Sequence, residues 1–433
     1  MKKRLPELDF LFSLTDFGIK LGLDKTRSLL ERFGNPHLLY PSVLVAGTNG
    51  KGSVGRTLAG ILFASGYKVG LYTSPHLIYI GERIVFNGKA ISEKALASKI
   101  RDLQKMLGSQ PYHMYPTFFE ALTAIAFSFF ADAGVEILVC EVGMGGRFDA
   151  TNVLPSSLEI ITSIGLEHTQ FLGKTYAEIA SEKAGIIKPG STVISASQHS
   201  DAMRVIRNKT RDKKAKLYIY KRDFDARGKT LSVDGQEFDF FWNSKMYCSL
   251  KTPLLGNHQI ENMALAVSAA ISLGKKGFDV TREGLYGGME SVFWPCRFQI
   301  LKKDPFIVID GAHNPDGIKT LSATLREVFP CRKFCFLVGI LKDKDWRKML
   351  NLLLTGNNVD EIVFTKPDNE RALDPALLAD HARAKKRGYA RIIPSPRKAM
   401  EYLKRNGKDW CICGSLYLCG DILGILKGKE HTA

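Results

Sequence analysis

Short apolar, β-branched runs alternate with longer stretches of helical period through roughly the first 290 residues. Runs at 42–48, 68–73, 137–142, 158–163 and 192–196 predict strands. Between them, 57–65, 118–132 and 175–186 predict helices, the last stopped at Lys188-Pro189-Gly190. Strands separated by helices argue for a mostly parallel sheet covered on both faces. From 215 to 250 the texture changes: β-prone runs at 217–221, 230–233 and 238–242, with turn residues such as Asp234-Gly235, predict a small β insertion on that sheet. A helix over 259–274 follows, then a linker at Trp294-Pro295. Runs at 306–310, 334–339, 361–365, 391–394 and 410–414 then start a second alternating series. The expectation is an α/β chain with a larger domain, 1–294, and a smaller Rossmann-like α/β domain, 297–433.

The first predicted strand runs into Gly47-Thr48-Asn49-Gly50-Lys51-Gly52-Ser53, with helix-like sequence beyond. Strand, glycine-rich turn and helix make a phosphate cradle. Glycines let backbone N–H groups point into one concavity, and the helix N-terminus adds partial positive charge. The lysine reaches phosphate oxygens, and the hydroxyl joins a phosphate or its Mg²⁺. Gly52 separates Lys51 from Ser53, a departure from the common G-x-x-x-x-G-K-[ST] spacing. The larger domain is therefore expected to be of P-loop ATPase type and to bind a nucleoside triphosphate.

Composition narrows the class without naming the chemistry. With 45% hydrophobic and 24% charged residues, the chain reads as ordinary globular material. Met1-Lys2-Lys3-Arg4 looks like the start of a signal peptide, but Glu7, Asp9 and Asp16 interrupt any apolar core after it. The longest apolar stretch, 121–131, is far short of the ~20 residues a membrane span needs, so a cytoplasmic protein without membrane partners is expected. The eight cysteines form no C-x-x-C pair and read as reduced core thiols. A net charge of +17 suits anionic ligands or a solvated basic surface. Clusters as short as Lys213-Lys214 and Lys385-Lys386-Arg387, without interleaved aromatics, favour the solvated surface over a nucleic-acid role.

Three further segments carry candidate chemistry. Glu141 closes a strand and enters Gly143-Met144-Gly145-Gly146-Arg147; ligands of open α/β sheets collect beyond such strand ends, and a carboxylate there suits Mg²⁺. His168, after Thr162-Ser163-Ile164-Gly165, could ligate a metal or hydrogen-bond in a turn. Lys183, in Ser181-Glu182-Lys183-Ala184-Gly185, is either a surface lysine or a functional one.

Together these segments resemble the folylpolyglutamate synthase/dihydrofolate synthase branch of the Mur ligase superfamily, in its bifunctional bacterial form. The resemblance also takes in Thr73-Ser74-Pro75-His76-Leu77, His258-Gln259-Ile260-Glu261-Asn262, Pro295-Cys296-Arg297, Asp310-Gly311-Ala312-His313-Asn314-Pro315 and Gly414-Ser415-Leu416-Tyr417, in the expected order. It implies an ATP-dependent acid–amino-acid ligase that joins L-glutamate to dihydropteroate, to reduced folates, or to both. Ser74 and Glu141 would hold one Mg²⁺, Glu141 and His168 a second, and Lys183 would be carbamylated to supply an anionic oxygen ligand. Asn262, Arg297, Asp310 and His313 would join residues 47–53 around ATP. Arg297 would also lie near the incoming amino acid, and Ser415 would serve glutamate. Phe118, Phe119 and Glu120 would line the pterin side. Cys296 stands where relatives often have glycine, which would stiffen the hinge. The run 18–23 resembles a dihydropteroate-site segment, or is a plain helix and turn. A monomer is implied. A cell-wall Mur ligase would share the chemistry but carry an extra N-terminal domain; a basic nucleic-acid-stimulated ATPase is the reading outside the ligases.

Overall fold

The computed structural model describes residues 5–18, 22–108, 115–356, 359–385 and 389–428. Residues 19–21, in the middle of the 18–23 run, lie outside the described residues, as do Lys386 and Arg387. The strands are β1 Ser42–Ala46, β2 Val69–Tyr72, β3 Ile84–Phe86, β4 Lys89–Ala90, β5 Ile137–Glu141, β6 Leu158–Ile161, β7 Thr192–Ser195, β8 Lys216–Ile219, β9 Phe224–Ser232, β10 Gly235–Trp242, β11 Lys245–Thr252, β12 Gln299–Lys303, β13 Phe306–Ile309, β14 Phe334–Val338, β15 Val359–Phe364, β16 Tyr389–Ile392 and β17 Trp410–Cys413. The α-helices are α1 Pro6–Ser13, α2 Asp24–Arg32, α3 Lys51–Ala64, α4 Glu93–Leu107, α5 Phe118–Asp132, α6 Thr169–Leu172, α7 Tyr176–Lys183, α8 Ser200–Asp212, α9 Asn257–Gly274, α10 Arg282–Glu290, α11 Pro315–Val328, α12 Trp346–Gly356, α13 Pro375–Ala384, α14 Pro396–Asn406 and α15 Leu416–Leu426.

Eight strands form the first sheet in the order β4-β3-β2-β5-β1-β6-β7-β8, antiparallel only at the β2–β3–β4 edge. The central parallel strands β1, β2 and β5 are buried at every position because helices cover both faces: α3 and α9 one, α4 and α5 the other. A six-stranded sheet, β12-β13-β17-β14-β15-β16, carries the second domain, parallel except for the β12–β13 hairpin. The two-domain α/β architecture expected from the alternation is what the chain adopts.

The β insertion is three-stranded, β11-β10-β9, and antiparallel. The run at 217–221 is not part of it. As β8 it pairs in parallel with β7 at the edge of the main sheet, half-buried like a hairpin strand, so its sequence pattern could not separate the two places. Cys411 and Cys413 share a buried face of β17, and all eight cysteines are free.

The central position of β1 positions the site. The chain leaves β1 for one side of the sheet and later crosses from β5 to β6 on the other, so the loops after β1, β5 and β6 meet beyond one edge. This is the switch-point crevice where α/β sheets bind ligands.

A candidate active site where two domains meet

The loop after β1 is fastened from three directions. Gly47 has φ +147°, and a Cβ there would lie 1.8 Å from Thr162 Oγ1. Thr48 N donates to Ser163 O at 2.8 Å, and Gly165 N donates to Thr48 Oγ1 at 3.0 Å, tying the loop to the one after β6. Gly50, at φ +90°, leaves room for the Asn262 amide from α9, which a Cβ would approach to 2.4 Å. Helix α3 begins at Lys51, earlier than the expected 57, because Gly52, Ser53, Val54 and Gly55 are all buried and tertiary packing outweighs their poor propensity. Its N-terminus therefore points into the loop, ready for anionic oxygens. Lys51 Nζ donates to Thr48 O at 3.0 Å and stands 3.9 Å from Glu141 Oε1.

Glu141 ends β5, opposite Val45, and is buried. Burial raises its pKa against the pull of Lys51, the Ser74 amide, Arg297 and Arg83; that amide donates to Oε2 at 3.4 Å. Asp149 holds the following glycine loop by accepting from Met144 N at 2.8 Å and from Thr151 Oγ1 at 2.6 Å. Gly146 lets α7 approach, since a Cβ would lie 2.9 Å from Lys183 O. Lys183 is buried and donates from Nζ to Gly47 O at 2.7 Å; burial, then the Lys51 charge, lowers its pKa to about 7. An amine in that state is uncharged in a substantial fraction of molecules at neutral pH, and the neutral form can attack CO₂. His168 sits at φ +53°, part of its surface open to solvent. Surrounding protein lowers its pKa to about 4; Glu167 opposes this, and Lys344, Lys51 and Lys183 reinforce it. The ring is therefore neutral and free to ligate.

The second domain closes over this edge. Asp310 accepts from Phe298 N at 2.7 Å and Ala312 N at 2.8 Å, fixing the loop that bears His313 and Asn314. Burial raises the pKa of Asp310, with Arg297 and the two amides opposing. Asn314 Nδ2 donates to Asn49 Oδ1 at 3.0 Å and to Glu167 Oε2 at 3.3 Å. Glu167 Oε1 lies 2.8 Å from Lys344 Nζ and 3.3 Å from His313 Nε2. Burial would raise its pKa, but His313 and Lys344 outweigh that and hold the carboxyl well below the usual range. Cys296, between the domains, has φ +58°, the left-handed region glycine favours. Between the domains lies a cavity of about 240 Å³, lined by Asn49, Gly50 and Asn262 on one side and Arg297, His313 and Thr320 on the other.

Two expected substrate segments are tied into the scaffold. Glu120 accepts from Thr117 N at 2.8 Å in a capping box at the start of α5, while Phe118 and Phe119 stay partly open. Phe119 packs where a Cβ on Gly143 would lie 2.5 Å from its ring. Ser415 Oγ caps α15 by accepting from Leu418 N at 3.0 Å. Glu167, Lys344, Asp149 and Arg83 were not expected here. Asp149 is signalled only by its place after the glycine loop, and Lys344 by the Lys342-Asp343-Lys344 run just past a strand end.

Among the described residues no three His, Cys, Asp or Glu side chains gather as a metal cage. What the loops offer is a carboxylate (Glu141), a hydroxyl (Ser74) and a neutral imidazole (His168) beside a phosphate cradle. That set fits Mg²⁺, which takes one or two protein carboxylates and completes its shell with phosphate and water. Lys183 fits the set only as a carbamate, whose N–H could keep the bond to Gly47 O.

A family model for the Mur ligase middle domain matches residues 45–270, and one for the Mur ligase glutamate ligase domain matches 296–415. The chain is 35% identical over 416 residues to the dihydrofolate synthase/folylpolyglutamate synthase of Bacillus subtilis (strain 168), covering 95% of this chain and 96% of that one. The structure of Mycobacterium tuberculosis folylpolyglutamate synthase with ADP and AMPPCP superposes with a TM-score of 0.88 at 30% identity, covering 98% and 100% of the two chains. Escherichia coli FolC in complex with DHPP and ADP gives 0.87 at 28% identity, covering 98% of each.

Proposed function

Because the chain belongs to the Mur ligase family, in its folylpolyglutamate synthase/dihydrofolate synthase branch, we propose that it joins L-glutamate to dihydropteroate and to reduced folates, driven by ATP. The observation that carries this is the phosphate loop set beside buried Glu141 and roofed by Arg297 and His313 of the second domain.

A carboxylate is a poor electrophile, so it must be activated before an amine can attack. Transfer of the ATP γ-phosphoryl to the acceptor carboxylate makes an acyl phosphate; the glutamate amine displaces phosphate and forms the amide. Lys51 and the first N–H groups of α3 neutralise the triphosphate as the acceptor approaches, and Arg297 meets negative charge on the opposite side. Glu141, Ser74, His168 and a carbamylated Lys183 would hold Mg²⁺, which when bound neutralises phosphate oxygens. Loop residues 47–53 with Asn262, Asp310 and His313 take the nucleotide; Phe118, Phe119 and Glu120 take the pterin side, and Ser415 and Arg297 take glutamate. The clamp of Glu167 on Lys344, His313 and Asn314 draws the domains together, which keeps water from the acyl phosphate. The same reading sets the domains at 1–294 and 297–433, supported by the change of sheet across Trp294. It has the enzyme act as a cytoplasmic monomer on small molecules, without nucleic acid or membrane. Among the described residues no helix is long and apolar enough to cross a membrane.

The test is ADP release with ATP, Mg²⁺ and L-glutamate, comparing dihydropteroate, tetrahydrofolate and no acceptor. Turnover with both acceptors supports the bifunctional reading, and turnover with one assigns a single role. ATP consumption indifferent to acceptor and glutamate would sink it.

A further inference from the structure

Arg83 ends the short turn Ile80–Arg83 that follows the Ser74 loop. Its Nε donates to His76 Nδ1 at 2.9 Å, and its guanidinium carbon stands 5.3 Å from the centre of the Phe118 ring. The neighbouring carboxylate is already engaged: Glu82 accepts from Leu77 N at 2.7 Å, Ile78 N at 3.2 Å and Tyr79 N at 3.3 Å. Among the described residues neither terminal NH₂ of Arg83 finds a hydrogen-bond acceptor within the chain. Burial lowers its pKa, opposed by the nearby Tyr72, Tyr417, Glu141 and Glu82. The cation thus stands among the metal-side carboxylate, the start of α5 and the first turn of α15.

A half-buried guanidinium whose fork meets no acceptor within the described chain is poised for an anion, and its geometry matches a carboxylate through two parallel N–H···O bonds. Three anions come to this site. The triphosphate has Lys51 and the α3 N-terminus, and the cavity beside them is not lined by Arg83. Glutamate is expected from the second domain, whose Tyr417 is the group near Arg83. The acceptor remains. A cation over an aromatic ring complements an aryl carboxylate, whose ring packs on the face while its oxygens meet the fork.

We propose that Arg83 binds the carboxylate of the acceptor acid and orients it toward the γ-phosphate; this rests on the ligase reading above. The experiment compares wild type, R83Q and R83K in two ways. Steady-state assays give KM for dihydropteroate, ATP and L-glutamate. Calorimetry with a non-hydrolysable ATP analogue measures dihydropteroate against its decarboxylated counterpart. R83Q should raise the dihydropteroate KM about 10- to 100-fold, as loss of a charged hydrogen-bond pair does. KM for ATP and glutamate should stay within about twofold, and the decarboxylated compound should bind all three proteins alike. R83K, with a point charge in place of a fork, should fall between, and it carries the test if R83Q does not fold. Equal weakening of both compounds, a rise confined to the glutamate KM, or no change would overturn the assignment. Absence of acceptor-dependent turnover in wild type would count against the ligase reading alone, since the calorimetry still decides for Arg83.

Discussion

Replacing Lys344 with methionine should loosen the domains without touching the phosphate loop. Lys344 and Glu167 come from different domains, lie 2.8 Å apart, and have side chains only 12% and 11% exposed. Stranding one partner of a buried pair costs about 3–5 kcal/mol. Here Glu167 keeps His313 at 3.3 Å and Asn314 Nδ2 at 3.3 Å, so the loss is that of one charged hydrogen bond, about 2 kcal/mol. That shifts the closed-to-open ratio about 30-fold. The nucleotide cavity is lined from both domains, so K344M should weaken binding of a non-hydrolysable ATP analogue by up to that factor, and by less where closure remains dominant. Calorimetry on E167Q, K344M and the double variant makes a double-mutant cycle, with a coupling of about 1–2 kcal/mol expected. The pH dependence follows from the lowered pKa of Glu167. The clamp is complete above the unfolded value of about 4.3 and is lost as pH falls toward the folded one. Additive losses, or unchanged affinity in K344M, would refute the clamp.

Three other outcomes follow from the geometry. Native mass analysis should find one CO₂ added to the chain, absent in K183A, and K183A should lose ligase turnover while remaining folded. Gly50→Ala places a side chain at φ +90°, costing about 1 kcal/mol, and pushes a Cβ to 2.4 Å from Asn262 Oδ1; the ATP KM should rise roughly tenfold with thermal stability only slightly lower. Glu159 is fully buried and accepts from Ser156 Oγ at 2.7 Å and Ser191 Oγ at 2.5 Å, and burial raises its pKa from 4.5 to about 7. Its contribution is complete below the unfolded value and falls by about 3 kcal/mol as pH rises through 7, so E159Q should flatten the urea-unfolding stability between pH 5 and 8.

The parallel strands were legible because a strand buried on both faces reads as a nearly continuous apolar run, as in β1, β5, β14 and β17, broken only by Ser42 and Glu141 at strand ends. Strands β3 and β4, three and two residues long, are too short to show a period. Edge strand β8 shares its half-buried pattern with hairpin strands, so its place depends on pairing rather than sequence. The phosphate loop and Glu141 could be read locally, since strand, glycines and helix are contiguous. Roles for Lys183, Asn262 and Ser415 came only through resemblance. Glu167 and Lys344 were missed because they are 177 residues apart and meet only when two sheets dock. Arg83 was missed because what marks it is an unmet fork, visible only once Glu82 is seen to be engaged.

In the proposed reaction, phosphate carries away an oxygen of the acceptor's own carboxyl group. Dihydropteroate labelled with ¹⁸O in that carboxylate, turned over with ATP, Mg²⁺ and L-glutamate, should yield dihydrofolate and inorganic phosphate carrying one labelled oxygen. Unlabelled phosphate released with ADP would mean that water, not the acceptor, takes the γ-phosphoryl group, and the ligase account would fall.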